Sequence, residues 1–387
     1  MTEKNIVYLD NAATSPLHPD VKQTMTEALE LFGNPSSLYD LGIDNEKRVD
    51  GARRTIAEAI GAEPGQIYFT SGGTEGDNTL IKGVIENTRR DILKRSRIIT
   101  TTIEHPAVKD VFKMYENHGI DVVWLPVDSK GYVKADDFRA AMTEDTILVS
   151  IIGVNNEIGT VQDLEAIGEM IKSVNPRCFF HSDYVQGLMK HPVDVKACRI
   201  DGLTMCAHKI NGPKGVGAIY LNQDFRIKPL LLGGGQESGL RSGTENVPGI
   251  LGFARAVTVW QNPDILLRLR DMKTILSERL LTVSDVRITS PDEGSPAVLS
   301  VSVKGVRGEV LLHSLERRGV YISTGSACSS HKKEKNAVLK AIGLAPEWIE
   351  GTIRVSFSAV TTASDVRAAA EIIAEEIETL RALIQRR

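Results

Sequence analysis

The chain has 387 residues, room for two or three domains, and its 42% hydrophobic and 25% charged residues match a soluble globular protein and exclude a disordered one. No apolar run approaches the roughly 18 residues of a membrane span, and the first ten residues lack the apolar stretch of a signal peptide, so a cytoplasmic setting is expected. A net charge of −4 with scattered Lys and Arg offers no basic stripe for nucleic acid, and eight histidines without an H-x-x-x-H pair offer no metal site.

The N-terminal Y-L-D-N-A-A-T reads as a strand. Between about residues 65 and 225, β-rich runs alternate with helical patterns: I-Y-F-T, R-I-I-T-T-T, D-V-V-W-L, T-I-L-V-S-I-I, C-F-F-H-S, G-L-T-M-C and V-G-A-I-Y-L. Such alternation predicts an α/β domain with a mostly parallel sheet, whose ligands gather at the carboxyl ends of the strands. Thr74, His105, Asn156, Asp183 and Lys209 all follow or end such runs. The segment S-G-G-T-E-G-D-N follows a strand and enters a helix, so Gly72, Gly73 and Thr74 either cradle an anion or form an ordinary loop and cap. It is not a P-loop, because the G-x-x-x-x-G-K-[ST] spacing is absent.

Past residue 260 the pattern changes to a long helix, the alternating strand P-A-V-L-S-V-S-V, a helix near 308–318 and a terminal helix from about 363. This predicts a second, smaller α+β domain. The expected division is 16–262 for the large domain, with 1–15 and 263–387 forming the small one. Within the small domain, S-T-G-S-A-C-S-S-H-K-K-E-K places Cys328 between small residues and a charged stretch, where an accessible thiol would sit. The other cysteines are Cys178, Cys198 and Cys206; with no C-x-x-C pair, all four read as reduced thiols.

Several of these residues have two readings. Lys209, in C-A-H-K-I-N-G-P-K-G, is either a surface lysine or a Schiff-base amine. Asp183 ends an apolar strand, where a carboxylate needs a cationic partner such as a pyridinium nitrogen. His105, in E-H-P-A-V, either starts a helix or stacks on a flat cofactor and moves protons.

The ordered motifs L-D-N-A-A-T-S-P, N-P-S-S, G-G-T-E, E-H-P-A-V, N-N-E-I-G-T-V-Q, H-S-D-Y-V-Q-G, H-K-I-N-G-P-K-G, R-S-G-T-E-N-V-P, S-T-G-S-A-C and I-R-V-S-F-S resemble those of the cysteine desulfurases, pyridoxal-phosphate enzymes of the class V aminotransferase superfamily. The resemblance covers nearly the whole chain and favours the branch with a long cysteine loop. It implies fold type I, with a seven-stranded, mostly parallel sheet in a large cofactor-binding domain and the catalytic-cysteine loop on the small α+β domain. The implied reaction converts L-cysteine to L-alanine and leaves a persulfide on Cys328 for transfer to a protein acceptor whose identity the residues leave open, an iron–sulfur scaffold or a tRNA-thiolation protein being examples.

The resemblance also implies residue roles. Lys209 would bind pyridoxal 5'-phosphate covalently and act as base. Asp183 would protonate the ring nitrogen, Gln186 would donate to the ring hydroxyl, and His105 would stack on the ring. Gly73, Thr74, Cys206 and His208 would surround the phosphate, and Thr244 would reach it from the partner of a homodimer. Asn156 would help orient both cofactor and substrate, and Asn34 and Arg354 would bind the substrate, Arg354 through its carboxylate.

Five positions depart from the family's usual pattern: Tyr39 stands for histidine, Tyr184 for alanine, Cys206 for a phosphate-binding serine, and Ser238 and Ala359 for arginines. A selenocysteine lyase or related C–S/C–Se lyase, and a catalytically silent binding partner, are the alternative readings. Retention of Lys209, Asp183, His105, Arg354 and Cys328 weighs against silence.

Overall fold

The computed structural model describes residues 6–324 and 336–385. Among the described residues the first strand is β1 (Val7–Tyr8). Seven strands follow: β2 (Ile67–Thr70), β3 (Arg97–Thr101), β4 (Asp121–Leu125), β5 (Thr146–Ser150), β6 (Phe179–Asp183), β7 (Gly202–Cys206) and β8 (Gly217–Leu221). The remaining strands are β9 (Val286–Ile288), β10 (Val298–Val303), β11 (Val320–Tyr321), β12 (Ser323–Thr324) and β13 (Thr352–Ser356).

β2 to β8 form one sheet in the order β2-β8-β7-β6-β5-β3-β4. β6, β7 and β8 are buried along their whole length. That suits their continuous apolar runs, because strands covered on both faces need no polar alternation. The pairs from β4 to β7 are all parallel, whereas β8 runs antiparallel to both β7 and β2. Two reversals restore the original direction, so β2 points the same way as β7. The carboxyl ends of β2, β3, β5, β6 and β7 therefore emerge at one edge.

Helix starts fix what stands at that edge. After β3, His105 caps the helix Pro106–Asn117: its backbone is extended, its Nδ1 accepts from the Ala107 N–H, and Pro106 occupies the first turn. Val108, Val111, Phe112 and Tyr115 then recur on the buried face of that helix. After β2, the chain enters the helix Gly73–Asn87 through Gly72, whose φ of 155° strains any side chain.

The second sheet has the order β12-β13-β10-β9, all antiparallel. The helices Pro263–Leu281 and Ala363–Gln385 pack on each other beside it. β1 pairs in parallel with β11, and Asp10 bridges to Ser356, so the first residues of the chain join its last third. No helix among the described residues is long and apolar enough to cross a membrane.

One departure from the family pattern is explained by packing. The Tyr184 ring is fully buried and lies over Gly153 and Gly187, where a Cβ on Gly187 would come within 2.5 Å of it. The Tyr184 hydroxyl donates to the carbonyl of His191 at 3.0 Å. Two glycines make the space that an aromatic ring needs. Gly187→Ala should therefore destabilise the protein by about 1–3 kcal/mol through overpacking, measured as the midpoint of chemical denaturation. In a Tyr184→Ala background the same change should cost almost nothing; equal losses in both backgrounds would break the packing argument.

Candidate active site

The strand ends surround a cavity of about 190 Å³ lined by Gly73, Thr74, His105, Asn156, Asp183, Gln186, Cys206, His208, Lys209 and Arg354. Ten residues named from the sequence thus meet in one place. Wider clefts of about 650 and 710 Å³ lie elsewhere and contain none of them. Asn34 and Thr244 do not line the cavity either: the Asn34 side chain accepts from the Ser36 N–H, and Thr244 faces outward. Cys328 lies outside the described residues.

Lys209 follows β7 by three residues, and its Nζ donates to the carbonyl oxygens of Ala12 and Ala13, each at 2.6 Å. The N-terminal segment is thereby drawn over the pocket. Asp183, the last residue of β6, is buried and accepts from the Val185 N–H at 3.0 Å. Burial pushes its carboxyl pKa up, against the opposing pull of His105, Val185 and Lys209. A carboxyl in that position is stabilised as the anion by a cation placed against it.

Asp77 and His105 offer polar atoms within 4.8 Å of the Asp183 carboxylate. Burial and the nearby Asp183 charge raise the Asp77 carboxyl well above its ordinary range. His181, within β6, is fully buried, and burial lowers it to about 3. It is neutral at physiological pH, bonded to Ser150 through Nδ1 at 2.8 Å and to Thr204 through Nε2 at 3.1 Å.

Gly73 and Thr74, at the start of the helix Gly73–Asn87, share the cavity wall with His208. Helix N-terminal N–H groups favour an anion, and a phosphate fits this set. Burial and then the charges of Lys209, Lys214 and Lys190 lower His208 to about 4, so its ring is neutral at physiological pH. The Cys206 thiol also lines the cavity, and burial raises it to about 11. Of the five departures, only this one touches the cavity; Tyr184 sits behind it, and Tyr39, Ser238 and Ala359 are not among its lining residues.

Arg354 reaches the site from β13 of the second sheet. It is 2% exposed; its Nη2 donates to Asp10 at 2.8 Å and its Nη1 to the Asn156 carbonyl at 3.0 Å. Its Nε is buried without an acceptor among the described residues. A buried guanidinium N–H in that state is available to a carboxylate ligand. Asp10, Ala12 and Asp77 were not singled out from the sequence. Ala12 contributes only its carbonyl, which no residue-type reading reveals, although the L-D-N-A-A-T motif marks the segment.

The wall therefore offers a cation-seeking carboxyl, an amine and an anion cradle. These residues fit a phosphorylated pyridine aldehyde. The family model described as aminotransferase class V matches residues 7–368, and the chain belongs to that family of pyridoxal-phosphate enzymes. Along its length it is similar to cysteine desulfurase IscS of Methanosarcina thermophila, with 42% identity covering 98% of this chain and 94% of the relative. A solved NifS-like protein superposes with a TM-score of 0.91 at 36% identity, covering 97% of this chain and all of that one. The solved structure titled SspA in complex with cysteine superposes with a TM-score of 0.79 at 31% identity, covering 91% and 99%.

The placement of Cys206 generates a measurable expectation. A thiol donates a weaker hydrogen bond than a hydroxyl, so Cys206→Ser should hold pyridoxal phosphate more tightly by about 1 kcal/mol. Absorbance during dialysis of the loaded protein measures the release; equal or faster loss from the serine variant would show that this side chain does not serve the phosphate.

Proposed function

We propose that this protein is a pyridoxal-phosphate-dependent cysteine desulfurase, which takes sulfur from L-cysteine onto Cys328 and releases L-alanine. The observation that carries this reading is the convergence of Lys209, Asp183, His105 and Arg354 on one cavity, in a chain similar to named desulfurases over 98% of its length. Pyridoxal phosphate, when bound, supplies a Schiff-base carbonyl and a protonated ring that accepts electrons from the substrate carbon.

The chain's own groups do the rest. Lys209 holds the cofactor and then takes the proton from the α-carbon of cysteine. Asp183 keeps a proton on the ring nitrogen, and in doing so gains the cation that its buried carboxyl lacks. His105 covers the ring face. Gly73, Thr74 and His208 hold the phosphate. Arg354 receives the substrate carboxylate through its unpaired Nε edge, while Asp10 and the Asn156 carbonyl keep its plane fixed. The Cys328 thiolate attacks the substrate sulfur: a sulfur–sulfur bond forms and the carbon–sulfur bond breaks. The electrons of that bond stay with the carbon fragment, which takes one proton at the β-carbon, regains one at the α-carbon from Lys209, and leaves as alanine.

The same reading makes the protein a homodimer whose partner brings Thr244 to the phosphate. Two surface segments support it: Phe32 and Leu38, 84% and 94% exposed, flank Asn34, and Leu232, 84% exposed, precedes Thr244. It also divides the chain at residues 15 and 262, and assigns the persulfide to a protein acceptor in the cytoplasm. The free thiols Cys178, Cys198 and Cys206 are consistent with that setting.

Two variants test the assignment. Lys209→Ala should lose both turnover and the visible absorbance of the bound cofactor, measured by an absorbance scan beside a cysteine-dependent sulfide assay; normal turnover in this variant would overturn the cofactor chemistry. Cys328→Ala should keep the absorbance and its response to L-cysteine but form no alanine, quantified by amino-acid analysis. Alanine at the native rate would mean that sulfur passes to another group.

A further inference from the structure

Behind the cavity lies a lysine that the proposed reaction does not use. Lys190 closes the turn after β6, is 3% exposed, and its Nζ donates to Gln186 Oε1 at 3.3 Å. No carboxylate among the described residues pairs with it. The charged groups acting on it are Lys209 and Arg354, both cations, and the Cys206 thiol; burial, followed by Lys209, lowers its pKa to about 7. A buried ammonium beside other cations destabilises the fold, and an apolar side chain of the same length would remove that penalty.

The effect of Lys190 on Gln186 is specific. An amide can be placed either way round, but the ammonium form of Lys190 can only donate and the Ala12 carbonyl can only accept, so the Gln186 oxygen faces Lys190 and its NH₂ faces away. One N–H then goes to the Ala12 carbonyl at 2.9 Å. The amide has a second N–H, and Gln186 lines the cavity. Ala12 in turn accepts from Lys209, so the orientation set by Lys190 is carried to the amine at the centre of the site.

We propose that Lys190 is a positioning residue: it locks the Gln186 amide so that an N–H faces the oxygen substituent on the ring of the bound cofactor, and it strengthens that donor by its positive charge. This rests on the cofactor reading above. An anionic ring oxygen arriving on the far side of the amide gives the buried lysine, through Gln186, the negative partner it otherwise lacks.

The test is a titration of the cofactor-free protein with pyridoxal phosphate, followed by absorbance, for the native chain, Lys190→Met, Gln186→Leu and the double variant. Lys190→Met should raise the dissociation constant about tenfold, the scale of one charge-assisted hydrogen bond. In the Gln186→Leu background the same change should matter less than about twofold, because the lysine acts through that amide. The cofactor-free Lys190→Met protein should melt at the same temperature as the native one or higher. An unchanged dissociation constant, multiplying effects in the double variant, or a lower melting temperature for the cofactor-free variant would each overturn the proposal. Failure of the native chain itself to bind would remove the cofactor reading and this inference with it, whereas native binding matched by Lys190→Met would remove the inference alone.

Discussion

The site depends on a short N-terminal segment that ties the two sheets together through buried charge. Asp10 holds Arg354 of β13, and the carbonyls of Ala12 and Ala13 hold Lys209 after β7. Asn11 donates to the Ser356 carbonyl, and Ser15 donates to the carbonyl of His208. Each contact crosses between parts of the chain about 190 to 350 residues apart and satisfies a polar group that burial would otherwise leave costly. Without them, Arg354 and Lys209 would have no reason to face the same cavity.

That cavity is built against the preference of its own groups. Asp183 and Asp77 are carboxyls pushed up by burial, Lys190 is a cation among cations, and Arg354 keeps a buried N–H without an acceptor. A doubly charged phosphate and a protonated ring would offset several of these costs at once. Binding then stabilises the folded chain by mass action, which ties stability to loading with cofactor. Tyr184 shows a different kind of accommodation: a large side chain next to Asp183 is absorbed by two glycines and does not line the cavity.

Much of the fold was legible in the residues. Buried parallel strands must be runs of Ile, Val, Phe and Leu, and all seven runs between residues 65 and 225 became strands of one sheet. The position of Thr74, His105, Asp183 and Lys209 at or just past the ends of their strands was equally plain, because the chain must turn there and helix caps follow. The pairing order was not. A run such as V-G-A-I-Y-L carries no mark of direction, and the antiparallel β8 that brings β2 into line with β7 follows from hydrogen bonding between strands about 150 residues apart.

By itself the sequence determined which chemistry is present: a lysine, a carboxyl, a histidine and an arginine in motif order, with a thiol at Cys328. Side-chain type and local spacing are enough for that, since donors, acceptors and strand ends are properties of short stretches. Only the tertiary structure decided that Arg354 comes from the other sheet, that Ala12 contributes a carbonyl, that Asp77 stands beside Asp183, and that Lys190 is buried behind Gln186. The physical reason is that burial and the neighbouring charges set what a titratable group does, and both are created by contacts between residues that the chain itself keeps far apart.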